Sequence, residues 1–429
     1  MPNVRLRQAG LSLIELMIAI TIGVVLMLGM VEVFGTTRAV YQTTSALSRV
    51  QEGGRFAMDF IRGDLRMGGQ WGCFNEYQPL RRFYNHTATA FTADGTPIES
   101  SANWAFRTDL PIEGFEYENT APGEAVALTQ VPSLVDAGSK WSPTLPADVF
   151  AWVSDAEAPA VVNSDIFVVR YASADYVPIK GSDLAAGRMS VAAADQDFID
   201  QGAMYVATDC RQISLFQVNT APSIEDTLPA GDGVEAVFTS VVGGGSWNQA
   251  IPDSDPPGWK EYYYGTSTIG EGSPLHRYRI AIYYVGLPQD ETAPSLIRRE
   301  LILDAAGLPV IGPPQRLVDG IESMQLTFGV SAAMATSSVS ELQGLPPNAY
   351  VTAETLANGE NDNTTSAYVN NMRRIKKVRA ALLLRGLETA AVQGGDANYN
   401  VGDVTFTSGA GDANLRAVYE AVVAVRNRY

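Results

Sequence analysis

One charge in a long apolar run constrains this chain more than any other feature. Between Leu11 and Val31 the only ionisable side chain is Glu15. A run of about 20 apolar residues spans a bilayer as a helix. Ahead of it lies a short basic segment, Met1–Gly10, which carries Arg5 and Arg7 and ends in glycine. Cations beside an apolar span stay on the cytoplasmic side, so the bulk of the chain is expected outside the cytoplasm. An ordinary export signal carries a small-residue cleavage site after its apolar region. Here Val31 is followed by Glu32, Val33, Phe34 and Gly35. Cleavage ahead of the run, between Gly10 and Leu11, fits better and keeps the helix in the mature chain.

Glu15 separates two readings of that helix. A carboxylate in a membrane helix costs roughly 2.5–3.5 kcal/mol on insertion scales and usually has a partner or a task. In the plain reading Glu15 sits near the cytoplasmic end of a simple anchor and reaches to water. In the other, Gly10, Leu11 and Glu15 act together. At this spacing they resemble the class III signal of type IV prepilins and of type II secretion pseudopilins. The resemblance implies that a prepilin peptidase cuts between Gly10 and Leu11 and that the new amine of Leu11 is N-methylated. It also implies that Glu15 sets axial register by pairing with the N-terminal amine of a neighbouring subunit. Most members carry Phe where this chain has Leu11.

No proline occurs between Pro2 and Pro79, so nothing breaks the helix after the apolar run. Leu47, Val50, Gly54, Ala57, Ile61 and Leu65 recur at intervals of three and four, one face of an amphipathic helix. A helix from Leu11 to about Arg66 would be on the order of 80 Å long. Gly53-Gly54 is a weak point of that helix, able to bend it. Past Trp71 the pattern turns to β, with runs such as Ile166–Tyr171, Met204–Ala207, Ile213–Val218, Tyr278–Val285, Leu296–Leu303, Ser323–Val330, Lys377–Leu384 and Tyr419–Val425. Tyr278–Val285 and Leu296–Leu303 read as neighbours joined by a bend at Gly286-Leu287-Pro288. Phe167, Val169, Leu215, Phe216, Ile282, Leu326 and Phe328 are expected in the core. Three long segments, Asn85–Pro159, Gly243–Ser273 and Ser331–Ser366, read as polar loops. The fold class is α+β, a long N-terminal helix packed on largely antiparallel sheet. The expected divisions are a leader at 1–10, a membrane or filament-core helix at 11–31, its amphipathic continuation at 32–67, and a β-rich periplasmic domain at 68–429.

Composition narrows the function. The 30 Lys and Arg face 47 Asp and Glu, a net charge of −17, which argues against nucleic acid because phosphate binding needs clustered cations. The two cysteines, Cys73 and Cys210, form a disulfide in an oxidising compartment, or else two buried free thiols. Catalysis has little support: the two histidines, His86 and His276, are far apart, and neither a G-x-S-x-G nor a P-loop occurs. No cofactor is expected. Asp253-Ser254-Asp255 and Asn361-Asp362-Asn363 offer calcium-type oxygens but lack the Gly and Glu of an EF-hand loop, and read as solvated loops. No metal site is expected. The basic cluster Arg373, Arg374, Lys376, Lys377 and Arg379 reads as a solvated strand edge that resists aggregation, with docking of an acidic subunit as the alternative.

Further segments carry a more specific resemblance. Asp64–Cys73, Ser164–Tyr171, Asp209-Cys210 with Ser214–Val218, Leu317–Val330 and Val422–Arg428 resemble, in order, the helix end, a core strand, the second-cysteine region, a late strand and the ending of PilW-type minor pilins. The three long polar segments lie outside the resemblance and look like insertions. It implies a minor pilin, not an enzyme, that helps initiate and prime assembly of the type IV pilus at or near the filament tip. The implied partners are other minor pilins, the major pilin, a candidate tip adhesin, the prepilin peptidase and the inner membrane. The implied location is the inner membrane, single pass, with later incorporation into the pilus. The alternatives are a J-type pseudopilin of type II secretion and a membrane-anchored periplasmic binding domain.

Overall fold

The computed structural model describes residues 12–72, 82–85, 104–129, 131–183, 188–208, 212–225, 235–239, 272–331, 347–360, 365–389, 397–409, 412 and 414–425. Gly10, Leu11, Cys73, His86 and Cys210, and the acidic triplets at 253–255 and 361–363, lie outside the described residues. One helix, α1 (Leu13–Met67), runs for 55 residues without interruption. The strands that position it are β1 (Ile112–Tyr117), β2 (Ile166–Asp183), β3 (Met204–Thr208), β4 (Gln212–Gln217), β5 (Pro274–Gly286), β6 (Ser295–Leu303), β7 (Gln315–Asp319), β8 (Ile321–Val330), β9 (Ala349–Val351), β10 (Lys377–Thr389) and β11 (Asn414–Ala424).

A large sheet is built around β5, which pairs antiparallel with β2, β3 and β6. β4 follows β3, β1 adds to β2, and β7 adds to β6. A second sheet has the order β9-β8-β10-β11, antiparallel throughout. A small third sheet pairs Asn398–Val401, Val404–Thr407 and Ala125–Ala127. The architecture is therefore α+β, with a long apolar helix on largely antiparallel sheet.

Alternation explains why the central strands read as continuous apolar runs. Successive side chains of a strand point to opposite faces, and here both faces are covered. Phe167, Val169, Ala281, Tyr283 and Val285 pack towards α1 and the second sheet, in one core with Ile61, Leu65, Leu326 and Phe328. Ile166, Val168, Ile280, Ile282 and Tyr284 fill a second core on the opposite face. All seven residues expected in the core are buried. The bend after Tyr278–Val285 returns as expected, with Tyr284 opposite Ile297 and Val285 opposite Leu296.

The second core corrects one expectation. The segment Asn85–Pro159 does not act as a polar loop over its described part. It supplies β1, the short helix Ala147–Val153 and the buried side chains Trp104, Phe106, Trp141, Val149 and Val153. These form a layer over the far face of the large sheet. Trp141 Nε1 donates to Ser164 O at 3.0 Å, and the Tyr278 hydroxyl donates to Ala105 O at 2.7 Å. Fully buried Arg170 pairs with Glu113 at 2.8 Å and donates to the carbonyls of Leu110 and Trp104. Such a pair is costly to break, because removing one member strands the other charge in the interior.

One carboxylate joins the sheets. The oxygens of Asp165 accept Tyr117 N at 2.9 Å and Leu326 N at 2.8 Å, tying the end of β1 to the middle of β8. Full burial pushes the Asp165 carboxyl well above the usual carboxylate range.

Candidate functional site

The two halves of α1 live in different surroundings. From Ala46 onward one stripe is buried: Ala46, Val50, Gly54, Ala57, Met58, Ile61 and Leu65. Before it the helix stands clear of the domain. Leu13 is 77% exposed, Val25 67% and Met30 74%. None of its most apolar stretch is buried within the chain. By length and composition it is the one helix among the described residues able to cross a membrane. An exposed apolar surface of this extent marks a membrane or protein interface.

The start of this half is capped. The Ser12 hydroxyl accepts the backbone N–H of Glu15 at 3.2 Å, and Ser12 O accepts that of Leu16 at 3.2 Å. Ser12 and Glu15 stand in the S-x-x-E spacing of a capping box. Sequence reasoning passed over Ser12, although this spacing was the signal for it. Glu15 is exposed in the first turn, where the helix dipole favours negative charge.

The threonine hydroxyls of this half satisfy themselves within the helix. The Thr21 hydroxyl donates to Ile18 O at 2.8 Å. Thr36 and Thr37 donate to Glu32 O and Val33 O, and Thr43 and Thr44 to Ala39 O and Val40 O. This back-bonding is the usual route by which a hydroxyl sits in a helix away from water.

The second half docks by close approach. A Cβ built on Gly54 would lie 2.4 Å from the ring of Tyr419 on β11, and one on Gly53 would lie 3.3 Å from Val318 on β7. The Gly-Gly pair is thus a packing notch. The helix runs through the pair without a break. Farther along, Asp64 accepts the hydroxyls of Tyr171 on β2 and Tyr283 on β5 at 2.8 and 2.5 Å. Arg298 of β6 lies 3.6 Å from the same carboxylate. Burial, reinforced by the Asp64 charge, raises both phenols above their ordinary range. Asp64 is the polar pin of the docked half. In the sequence it appeared only as the first residue of the helix-end segment; its tyrosine partners lie more than a hundred residues away.

Beyond the helix the chain passes through Gly72, which has a positive φ of 70° and packs on Thr208, the last residue of β3. His276 lies beside them. Its Nδ1 is 2.7 Å from Ser173 O, so this nitrogen carries the proton, and its buried Nε2 has no partner among the described residues. Burial pushes the imidazole pKa down.

The basic cluster is not a solvated edge. β10 lies between β8 and β11 in the second sheet. Arg379 pairs with Glu420 at 2.5 Å and Asp403 at 2.6 Å, Arg373 donates to Asp109 O, and Lys376 is buried. An acid from β11 and one from the turn at Asp403 neutralise Arg379, and a local charge run does not reveal them.

Two family models match the chain. Residues 5–31 match the prokaryotic N-terminal methylation motif, and residues 282–427 match the type IV pilus-assembly protein W. No curated protein and no solved structure matches it. The first match ends at Val31, within the exposed half of α1; the second covers the last five residues of β5, the strands after it and the whole second sheet. Together the two matches support a PilW-type minor pilin, a protein of the type IV pilus.

Proposed function

We propose that this chain is a minor pilin that helps prime assembly of the type IV pilus and sits at or near its tip. One observation carries the reading: an exposed apolar half-helix with a single carboxylate in its first turn, joined without a break to a half that is pinned to a folded domain. The free half holds the subunit in the inner membrane with the domain on the periplasmic side. On extraction into the filament the same surface exchanges lipid for neighbouring helices. A prepilin peptidase cuts between Gly10 and Leu11, the Leu11 amine is methylated, and Glu15 pairs with the N-terminus of an adjacent subunit. The partners are other minor pilins, the major pilin and a tip adhesin. The methylation-motif match over residues 5–31 supports the processing steps. The match to pilus-assembly protein W favours the pilus over type II secretion.

The disulfide Cys73–Cys210 belongs to the same reading. Its support is the packing of Gly72 on Thr208, each within two residues of a cysteine. Mass spectrometry of a non-reduced digest should find the linked peptides, and alkylation of both thiols without reductant would exclude the bond.

The deciding test is intact mass and N-terminal sequencing of membrane-extracted protein with and without a prepilin peptidase. A start at Leu11 carrying one methyl is expected. An intact Met1 in the presence of the peptidase would leave a simple anchored domain.

A further inference from the structure

The apolar run of α1 ends in two charges. Between Glu15 and Glu32 no side chain is ionisable, and the next charge is Arg38. At 1.5 Å per residue Glu32 lies about 28 Å along the axis from Leu13, close to the roughly 30 Å thickness of a hydrocarbon core. A span that starts at Leu13 therefore leaves the hydrocarbon near Glu32. Phe34, Arg38 and Tyr41 follow at about 32, 38 and 42 Å. A headgroup layer adds roughly 5–8 Å on each side of the core, so it ends close to Arg38.

We infer that Phe34, Arg38 and Tyr41 form a collar that seats the helix in the headgroup layer of the periplasmic leaflet, with the Arg38 guanidinium on phospholipid phosphate. The inference rests on the membrane-anchored reading above and names the lipid group the helix takes. The spacing i, i+4, i+7 puts the three side chains on one face. That face is free. Phe34 and Tyr41 are 71% and 75% exposed, and Arg38 is exposed. The first residue that α1 buries in the domain is Ala46, about 12 Å beyond Arg38. Glu32 lies six residues from Arg38 and a third of a turn round the helix, so it does not neutralise it. Arg38 forms no ion pair among the described residues. In an α-helix every Cα–Cβ bond tilts toward the N-terminus. Side chains rooted at Arg38 and Tyr41, on the water side of the layer, thus lean back into it. There a guanidinium meets phosphate oxygens with paired N–H donors. A tyrosine suits the same boundary, with an apolar body and a polar tip. Phe34, at the hydrocarbon edge, needs no polar partner.

The test reconstitutes the full-length chain in vesicles of phosphatidylethanolamine and phosphatidylglycerol. A genetically encoded fluorescent amino acid replaces Val24, Phe34, Tyr41 or Ser48 in turn, and the lipids carry a nitroxide quencher on the headgroup or at the acyl-chain end. Acyl-end quenching is expected at position 24, headgroup quenching at 34 and 41, and neither at 48. Arg38→Glu should abolish the headgroup quenching at 41 and leave the domain's melting midpoint unchanged, because Arg38 is exposed. If 24 is quenched from the acyl end while 34 and 41 are quenched by neither lipid, as when another chain covers this face, the collar is overturned and the membrane anchor stands. The same holds if Arg38→Glu changes nothing. If 24 escapes the acyl-end quencher, both are overturned.

Discussion

At the scale of single residues, the contact of Gly54 with Tyr419 is a sharp constraint. Gly54→Ala places a methyl group inside the ring's space, and the ring or the helix must move. A loss of about 1–3 kcal/mol is expected, typical of overpacking. Gly63→Ala is the control on the same helix: nothing stands near it, so better helix propensity should leave stability equal or raise it by up to about 1 kcal/mol. Melting midpoints of the detergent-solubilised full chain compare the two. His276 gives a pH signature. Burial disfavours the cation and holds its folded pKa below the ordinary imidazole value of about 6.5. Its contribution to stability is then full above about pH 6.5 and is lost as pH falls through the folded value. Protonation would also bury an N–H at Nε2 with no acceptor among the described residues. His276→Gln should flatten this part of the stability profile between pH 7.5 and 5; an unchanged profile would show that the imidazole does not couple to folding.

At the scale of elements, α1 is held to the domain by an apolar stripe and one polar pin. Asp64→Ala leaves two mostly buried tyrosine hydroxyls without their acceptor, and a cost of about 1–3 kcal/mol follows. Hydrogen exchange should report faster opening of the amides around Ile61–Arg66, with the second sheet unaffected. The helix itself was legible because both its signals are local: an apolar run and then a stripe at intervals of three and four. The strands were legible for a related reason. Ile166–Val169 and Ile280–Val285 are apolar at every position because helix and sheet cover one face and a separate layer covers the other. That layer was not legible. Trp104, Phe106, Trp141, Val149 and Val153 are spaced without a period, and what assembles them is the face of β2 and β5, distant in sequence. The cluster around Arg379 failed in the same way. Its acids, Asp403 and Glu420, come from chain 24 and 41 residues further on, so a local run of cations looked solvent-facing when it was paired.

At the scale of the whole molecule, the chain is a folded domain with a protruding apolar rod, and the two should be separable by mutation. Glu15→Ala is expected to keep membrane insertion and domain folding and to impair incorporation into filaments, read as subunit abundance in sheared pili against abundance in membranes. Normal incorporation would remove Glu15 from the assembly step. The proposed function asks the rod to tolerate two media, lipid and then a filament. Each threonine hydroxyl along it, from Thr21 to Thr44, already spends its proton on a carbonyl one turn back. The rod therefore asks neither lipid nor a neighbouring subunit for a hydrogen bond on behalf of those groups, and withdrawing it from one medium into the other strands none of them. On the proposed reading, what changes at transfer is who covers the carbon surface, and the charged groups that transfer must accommodate are Glu15 in the first turn and Glu32 and Arg38 farther along.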